Sequence, residues 1–190
     1  DIDGVLDLEN AVAKSPESVT AKTTLATAYL ATNQLEKAIA LSAEWKKEAS
    51  SDPQGFLLAG EVALRENDLV KAEAEFLSAS ALAPKNNKVK MALIGLDIRS
   101  EKLDAAVTKL ENLIAISSDN LPALTTYFAI KQQQGNASEG MQPTLAQLQK
   151  TPQNADIVVL AARMRASDSS YDEALALLKS IAADKNAPNT

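Results

Sequence analysis

Leu35-Glu36-Lys37-Ala38, Leu69-Val70-Lys71-Ala72, Leu103-Asp104-Ala105-Ala106, Ala137-Ser138-Glu139-Gly140 and Tyr171-Asp172-Glu173-Ala174 each begin 34 residues after the one before. In each stretch a leading residue able to pack is followed three positions later by alanine or glycine. A fixed period of this length marks a repeat architecture built from one small supersecondary unit. Five windows follow without insertion: 19–52, 53–86, 87–120, 121–154 and 155–188. Asp1-Ile2-Asp3-Gly4 holds the same phase, so residues 1–18 read as the second half of an earlier window. The sequence is therefore expected to be a segment of one longer, continuous array.

Each window reads as two helices. Leu25, Ala26, Tyr29 and Leu30 recur at helical spacing, and Leu35, Ala38, Ile39 and Leu41 continue that pattern on a second segment. Asn33-Gln34, Asn67-Asp68 and Gly135-Asn136 separate the segments, with residues that favour turns over helix interiors. Pro16, Pro84 and Pro152 fall at window position 32, while Pro53, Pro122 and Pro188 fall at positions 1, 2 and 34. Proline there ends one helix or opens the next at little cost. Only Pro143 lies within an expected helix. With Gly140 it predicts a kink or a loosened turn there, or else a helix that begins only near Pro143.

Composition narrows the chemistry. The chain of 190 residues is 46% hydrophobic and 23% charged, and contains neither cysteine nor histidine. So apolar a chain collapses rather than remaining disordered. Disulfides and Cys/His zinc sites are excluded, as are cysteine nucleophiles and a serine–histidine relay. The net charge of −6 gives no electrostatic attraction to nucleic acid or to an anionic membrane. No apolar run approaches the length of a bilayer span. No glycine-rich phosphate loop appears, so neither a cofactor nor catalysis is expected.

A helical hairpin of this period, with small and bulky apolar residues at fixed places, resembles the tetratricopeptide repeat. The second window fits best, through Phe56, Ala59, Gly60, Ala63, Ala72, Phe76, Ala79 and Pro84. The fourth is degenerate, since Lys131, Gly140, Thr144 and Gln147 fill places that usually face the core. The resemblance implies an all-α fold, a right-handed α-solenoid of about eleven helices. Small residues at positions 8, 20 and 27 let helices approach closely, and a large side chain at Ala72 or Ala106 should cost about 1–3 kcal/mol. Stacking is obligatory, because one hairpin cannot bury its apolar face alone. Val5, Leu6, Leu8 and Val12 at one end, and Leu175, Leu178 and Ile181 at the other, are expected to be partly open and to favour self-association.

The resemblance also places function on the groove lined by the first helix of each pair. Inward-facing positions include Thr23, Thr27, Leu57, Glu61, Arg65, Met91, Arg99, Thr125, Gln132 and Arg163, with Leu57 and Met91 as the expected anchors. Family members that clamp a partner's C-terminal carboxylate use Lys and Asn where this chain has Thr23 and Thr27, then Leu57 and Glu61, so that clamp is absent. All four arginines, Arg65, Arg99, Arg163 and Arg165, lie on first helices. They read either as a row of acid-binding groups or as partners of Glu61, Asp97 or Asp156 in surface ion pairs, which are common and weak. Trp45 reads as packed beside the next window rather than as an exposed anchor. The expected function is a non-catalytic scaffold that holds an extended peptide or an amphipathic helix. Alanine-rich windows are similar to bacterial members of the family, including lipoproteins of exosortase and exopolysaccharide systems, which implies a periplasmic or outer-membrane setting. The alternative is a ligand- or peptide-sensing domain of a transcriptional regulator.

Overall fold

The computed structural model describes residues 2–184, and the side chains of residues 4–181. Among the described residues there are eleven helices and no strand, as an array of helical hairpins requires. They are α1 (Ile2–Lys14), α2 (Val19–Ala31), α3 (Leu35–Glu48), α4 (Pro53–Arg65), α5 (Leu69–Leu82), α6 (Asn87–Arg99), α7 (Leu103–Ile116), α8 (Leu121–Gln133), α9 (Ala137–Lys150), α10 (Ala155–Ser167) and α11 (Tyr171–Asp184). The chain divides into two compact units, residues 1–100 and 101–190. The division falls inside the window 87–120, where the sequence pattern is unbroken and gives no sign of it.

The helix boundaries have a chemical origin. Ser18, Asp52, Asn86, Asn120 and Asn154 stand one period apart, and each side chain accepts a hydrogen bond from a backbone N–H in the first turn of α2, α4, α6, α8 or α10. Such a cap satisfies donors that have no partner within the helix. Within each pair the turn places one residue in the left-handed region: Asn33, Asn67, Glu101, Gly135 and Ser169. Beyond four of these residues, Gln34, Asp68, Asn136 and Ser170 each donate an N–H to the carbonyl five residues back, at 2.8–2.9 Å. This Schellman arrangement closes the last turn of the first helix and fixes where the second begins.

In the first unit α1, α2 and α3 share a core of Val5, Leu25, Ala26, Tyr29, Leu30, Ala38 and Leu41, joined by Leu58 and Val62 of α4. Val5, expected to be open, is buried because α1 packs on α2, whereas Leu6 is exposed. The Tyr29 hydroxyl and the Lys37 ammonium donate to one oxygen of Glu9, at 2.9 and 2.8 Å, and tie α1 to both following helices. A second core gathers Leu57, Ala63, Ala72, Phe76, Ala79, Val89 and Leu96. Here the Phe76 ring lies against Gly60: a Cβ on that glycine would sit 2.3 Å from the ring. Only glycine fits.

The second unit packs Leu124, Phe128, Met141, Ile157, Leu160 and Met164 together. Its degenerate window keeps both helices, since α9 runs unbroken from Ala137 to Lys150 with Pro143 inside it. The helix that starts only near Pro143 is thereby corrected. Gly140 compensates for its low helix propensity by allowing a close approach to α8, where a Cβ would come within 2.9 Å of the Lys131 Cβ and 3.1 Å of the Phe128 Cα. Polar residues here are turned inward and mostly paired. Lys131 meets Glu139 at 2.7 Å. Gln147 accepts from the Ser118 hydroxyl at 2.8 Å and donates to Thr151 at 3.2 Å. The Thr144 hydroxyl alone is buried without a partner among the described residues.

Gly60→Ala should lower the unfolding free energy by about 1–3 kcal/mol through overpacking, despite the gain in helix propensity. Thr144→Val should raise it by about 1 kcal/mol, because it removes an unpaired buried hydroxyl and keeps the shape. Urea denaturation of both variants beside the parent chain measures the two opposite signs.

Candidate functional site

Because the hairpins of the first unit stack in register, α2, α4 and α6 lie side by side and leave a groove between them. Its cavity measures about 490 Å³. The walls carry Thr23 and Thr27 from α2, Leu57 and Glu61 from α4, and Met91 and Gly95 from α6. Trp45 and Phe76 reach it from α3 and α5 as a buried floor. A smaller cavity of about 240 Å³ adjoins, lined by Leu30, Glu61, Leu64, Arg65 and Arg99, so Glu61 and Leu64 border both. Seven of the ten residues expected on the groove thus come together in one place.

The anchors differ from expectation. Leu57 is only 6% exposed and belongs to the core as much as to the groove. It shapes the floor, and Met91, half-buried, presents the more accessible apolar surface. The threonines also change meaning. Thr23 and Thr27 donate their hydroxyl protons to the carbonyls of Val19 and Thr23, at 2.7 and 2.9 Å. They therefore offer lone pairs and methyl groups to a ligand rather than donors. Gly95 has nothing within 4 Å of where a Cβ would stand, so its absent side chain is open groove.

Among the described residues, neither groove arginine forms a close ion pair with Glu61, although Arg65 acts on it at longer range. Arg65 donates from Nη1 to the Leu30 carbonyl at 2.9 Å, on one of the last carbonyls of α2. Arg99 makes a longer contact of 3.4 Å with the Asn67 side-chain oxygen. Both contacts bridge one hairpin to the hairpin before it. Arg165 pairs with Glu173 at 3.0 Å. In the second unit, Thr125 and Arg163 are exposed, and Gln132 donates to the Ser167 hydroxyl at 3.4 Å. Trp45 is packed, as expected: its indole N–H donates to Asp52 at 3.0 Å, and the other oxygen of that carboxylate caps α4. The floor residues Trp45 and Phe76 escape a reading confined to first helices; their signal is bulk at second-helix positions.

Among the described residues, no three His, Cys, Asp or Glu side chains gather as metal ligands. Nor is any of their helices long and apolar enough to cross a membrane. Residues 6–62 match the sequence profile of the tetratricopeptide repeat. A tetratricopeptide repeat protein from Parabacteroides merdae superposes over 99% of this chain and 73% of its own, with a TM-score of 0.65 at 14% identity. The chain has the tetratricopeptide repeat fold. Another protein of this fold, TTC0263 from Thermus thermophilus, aligns with a TM-score of 0.68 at 16% identity, over 84% of this chain and 88% of its own. YrrB, described as a tetratricopeptide repeat protein with an unusual peptide-binding site, aligns over 90% of this chain and 89% of its own, with a TM-score of 0.52 at 19% identity. No curated protein matches the sequence.

Electrostatics single out Glu61 in the repeat groove. Desolvation by the groove walls raises its pKa above the usual 4.5, against the opposing pull of Arg65 and Lys88. A raised value means that folding favours the protonated form. The associated stability is present below the ordinary glutamate pKa and is lost as pH climbs through the raised one. Glu61→Gln should therefore raise the melting temperature at pH 7, with the difference from the parent chain vanishing near pH 4. Thermal scans across that range follow it.

Proposed function

We propose that the first unit is a non-catalytic binding module whose groove across α2, α4 and α6 holds an extended peptide segment of a protein partner. One observation carries the reading: a mostly apolar cavity of about 490 Å³ runs across three successive hairpins at residues that the repeat register turns inward. Chemistry supports it. Apolar surface at Met91 and Leu64 supplies anchoring, the threonine oxygens accept main-chain N–H groups, and buried Trp45 and Phe76 keep the floor rigid. Such a site discriminates by shape and by a few polar contacts rather than by reaction.

We further place the parent system in the bacterial envelope, as part of a secretion or exopolysaccharide assembly. The support is the resemblance of the alanine-rich windows to lipoproteins of those systems. Cell fractionation with an antibody to this chain tests the location: a purely cytoplasmic signal overturns it.

Gly95→Leu is the cleanest probe of the groove, because it fills open space while favouring the helix. Crosslinked capture from the native cell should lose its specific partners with Gly95→Leu or Met91→Glu, while circular dichroism shows the fold unchanged. The same partners captured by both variants at parental levels would overturn the assignment.

A further inference from the structure

Resting on the groove reading, we propose that the bound segment carries an acidic side chain three or four residues from its apolar anchor, and that Arg65 and Arg99 receive that carboxylate. The chain is acidic, with a net charge of −6, yet the two adjoining cavities hold Lys88, Arg65 and Arg99 against Glu61 alone. Six cations outside these two cavities are neutralised at close range. Lys22, Lys37, Lys46, Lys71, Lys131 and Arg165 each have a carboxylate within 3.4 Å. Arg65 and Arg99 instead touch only a carbonyl and an amide oxygen among the described residues. Each guanidinium has five N–H donors, so most of its capacity for a planar carboxylate is unused. The Leu30 carbonyl orients Arg65 without neutralising it.

The spacing follows from helix geometry. Leu57 and Arg65 are eight residues apart on α4, and Met91 and Arg99 are eight apart on α6. Eight residues of helix rise about 12 Å, which an extended peptide covers in about three to four residues. A side-chain carboxylate suits the site better than a chain terminus. A terminus would need donors for its own backbone, and the hydroxyls of Thr23 and Thr27 already donate within α2.

The test uses N-acetylated, C-amidated fluorescent peptides with one leucine and one glutamate in a serine–threonine background. Both orders are included, at separations of one to six residues, together with glutamine replacements and a set with a free C-terminus in place of the glutamate. Anisotropy with the full chain should show tightest binding at separations of three or four. The glutamate peptide should bind about tenfold tighter than its glutamine counterpart, and added salt should erase the difference. Arg65→Gln/Arg99→Gln should abolish that preference and leave leucine-dependent binding, with Arg65→Lys/Arg99→Lys retaining part of it. Leucine-dependent binding that ignores glutamate, its spacing or the arginines overturns this inference but leaves the groove. A preference for the free C-terminus over the side chain overturns it too. Absence of any leucine-dependent binding that Gly95→Leu removes overturns the groove reading itself.

Discussion

Close approach of the two helices within a hairpin is the constraint from which the rest follows. Ala38, Ala72 and Ala106 have no exposed surface, and Gly140, in the same register, admits no Cβ at all. Opposite them, Gly60 lets the Phe76 ring lie against the backbone of α4. At this distance dispersion contacts are dense, and loss of even part of a gap forfeits much of the attraction. The hairpin therefore becomes a rigid unit. Only such a unit can present one face to its neighbour and leave the outer faces of first helices free to line a groove.

Two polar devices keep that packing in phase. The series Ser18, Asp52, Asn86, Asn120 and Asn154 starts each first helix, and a left-handed residue at each hairpin turn stops it. Asparagine and glycine occupy three of those turns. Glu101 and Ser169 occupy the others, where a side chain costs about 1–2 kcal/mol in this conformation. Those two sites show that the surrounding hairpin geometry outweighs local preference, because the same turn forms without the residue best suited to it.

The period, the helix pairs and the boundary prolines were legible because they depend on residue size and spacing, which sequence displays directly. The cap series was equally legible, as polar residues one period apart, but it is a weaker signal than apolar recurrence and passes unnoticed beside it. The groove was legible only as a set of inward positions. Whether a residue there is floor or wall depends on how deep its neighbour stands: Leu57 is nearly closed off by Phe76 and Val89 packing beneath it, whereas Met91 is not. The arginine partners were not legible, since a guanidinium at the end of a long side chain can reach a carbonyl of the preceding hairpin as readily as a carboxylate. The division after Ser100 was also hidden, because contact density depends on packing across positions whose residue types fit the pattern on both sides.

The fourth window shows why degeneracy of pattern does not mean loss of structure. Lys131, Thr144 and Gln147 face inward, where apolar residues are usual, and each placement costs desolvation. Lys131 offsets that cost by its short pair with Glu139 and its position over the Tyr127 ring, and Gln147 does so through Ser118 and Thr151. Thr144 has no such compensation, so at these positions the window relies on directional contacts and the close approach at Gly140, beside the apolar core of Leu124, Phe128 and Met141. In the first unit the balance is reversed. In its second window the matching positions hold Ala63, Phe76 and Ala79, all without exposed surface, so apolar volume does there what directional contacts do in the fourth. Arg65 and Arg99 each use one contact on the preceding hairpin, and the N–H donors that remain on each guanidinium are the capacity the groove can offer a partner.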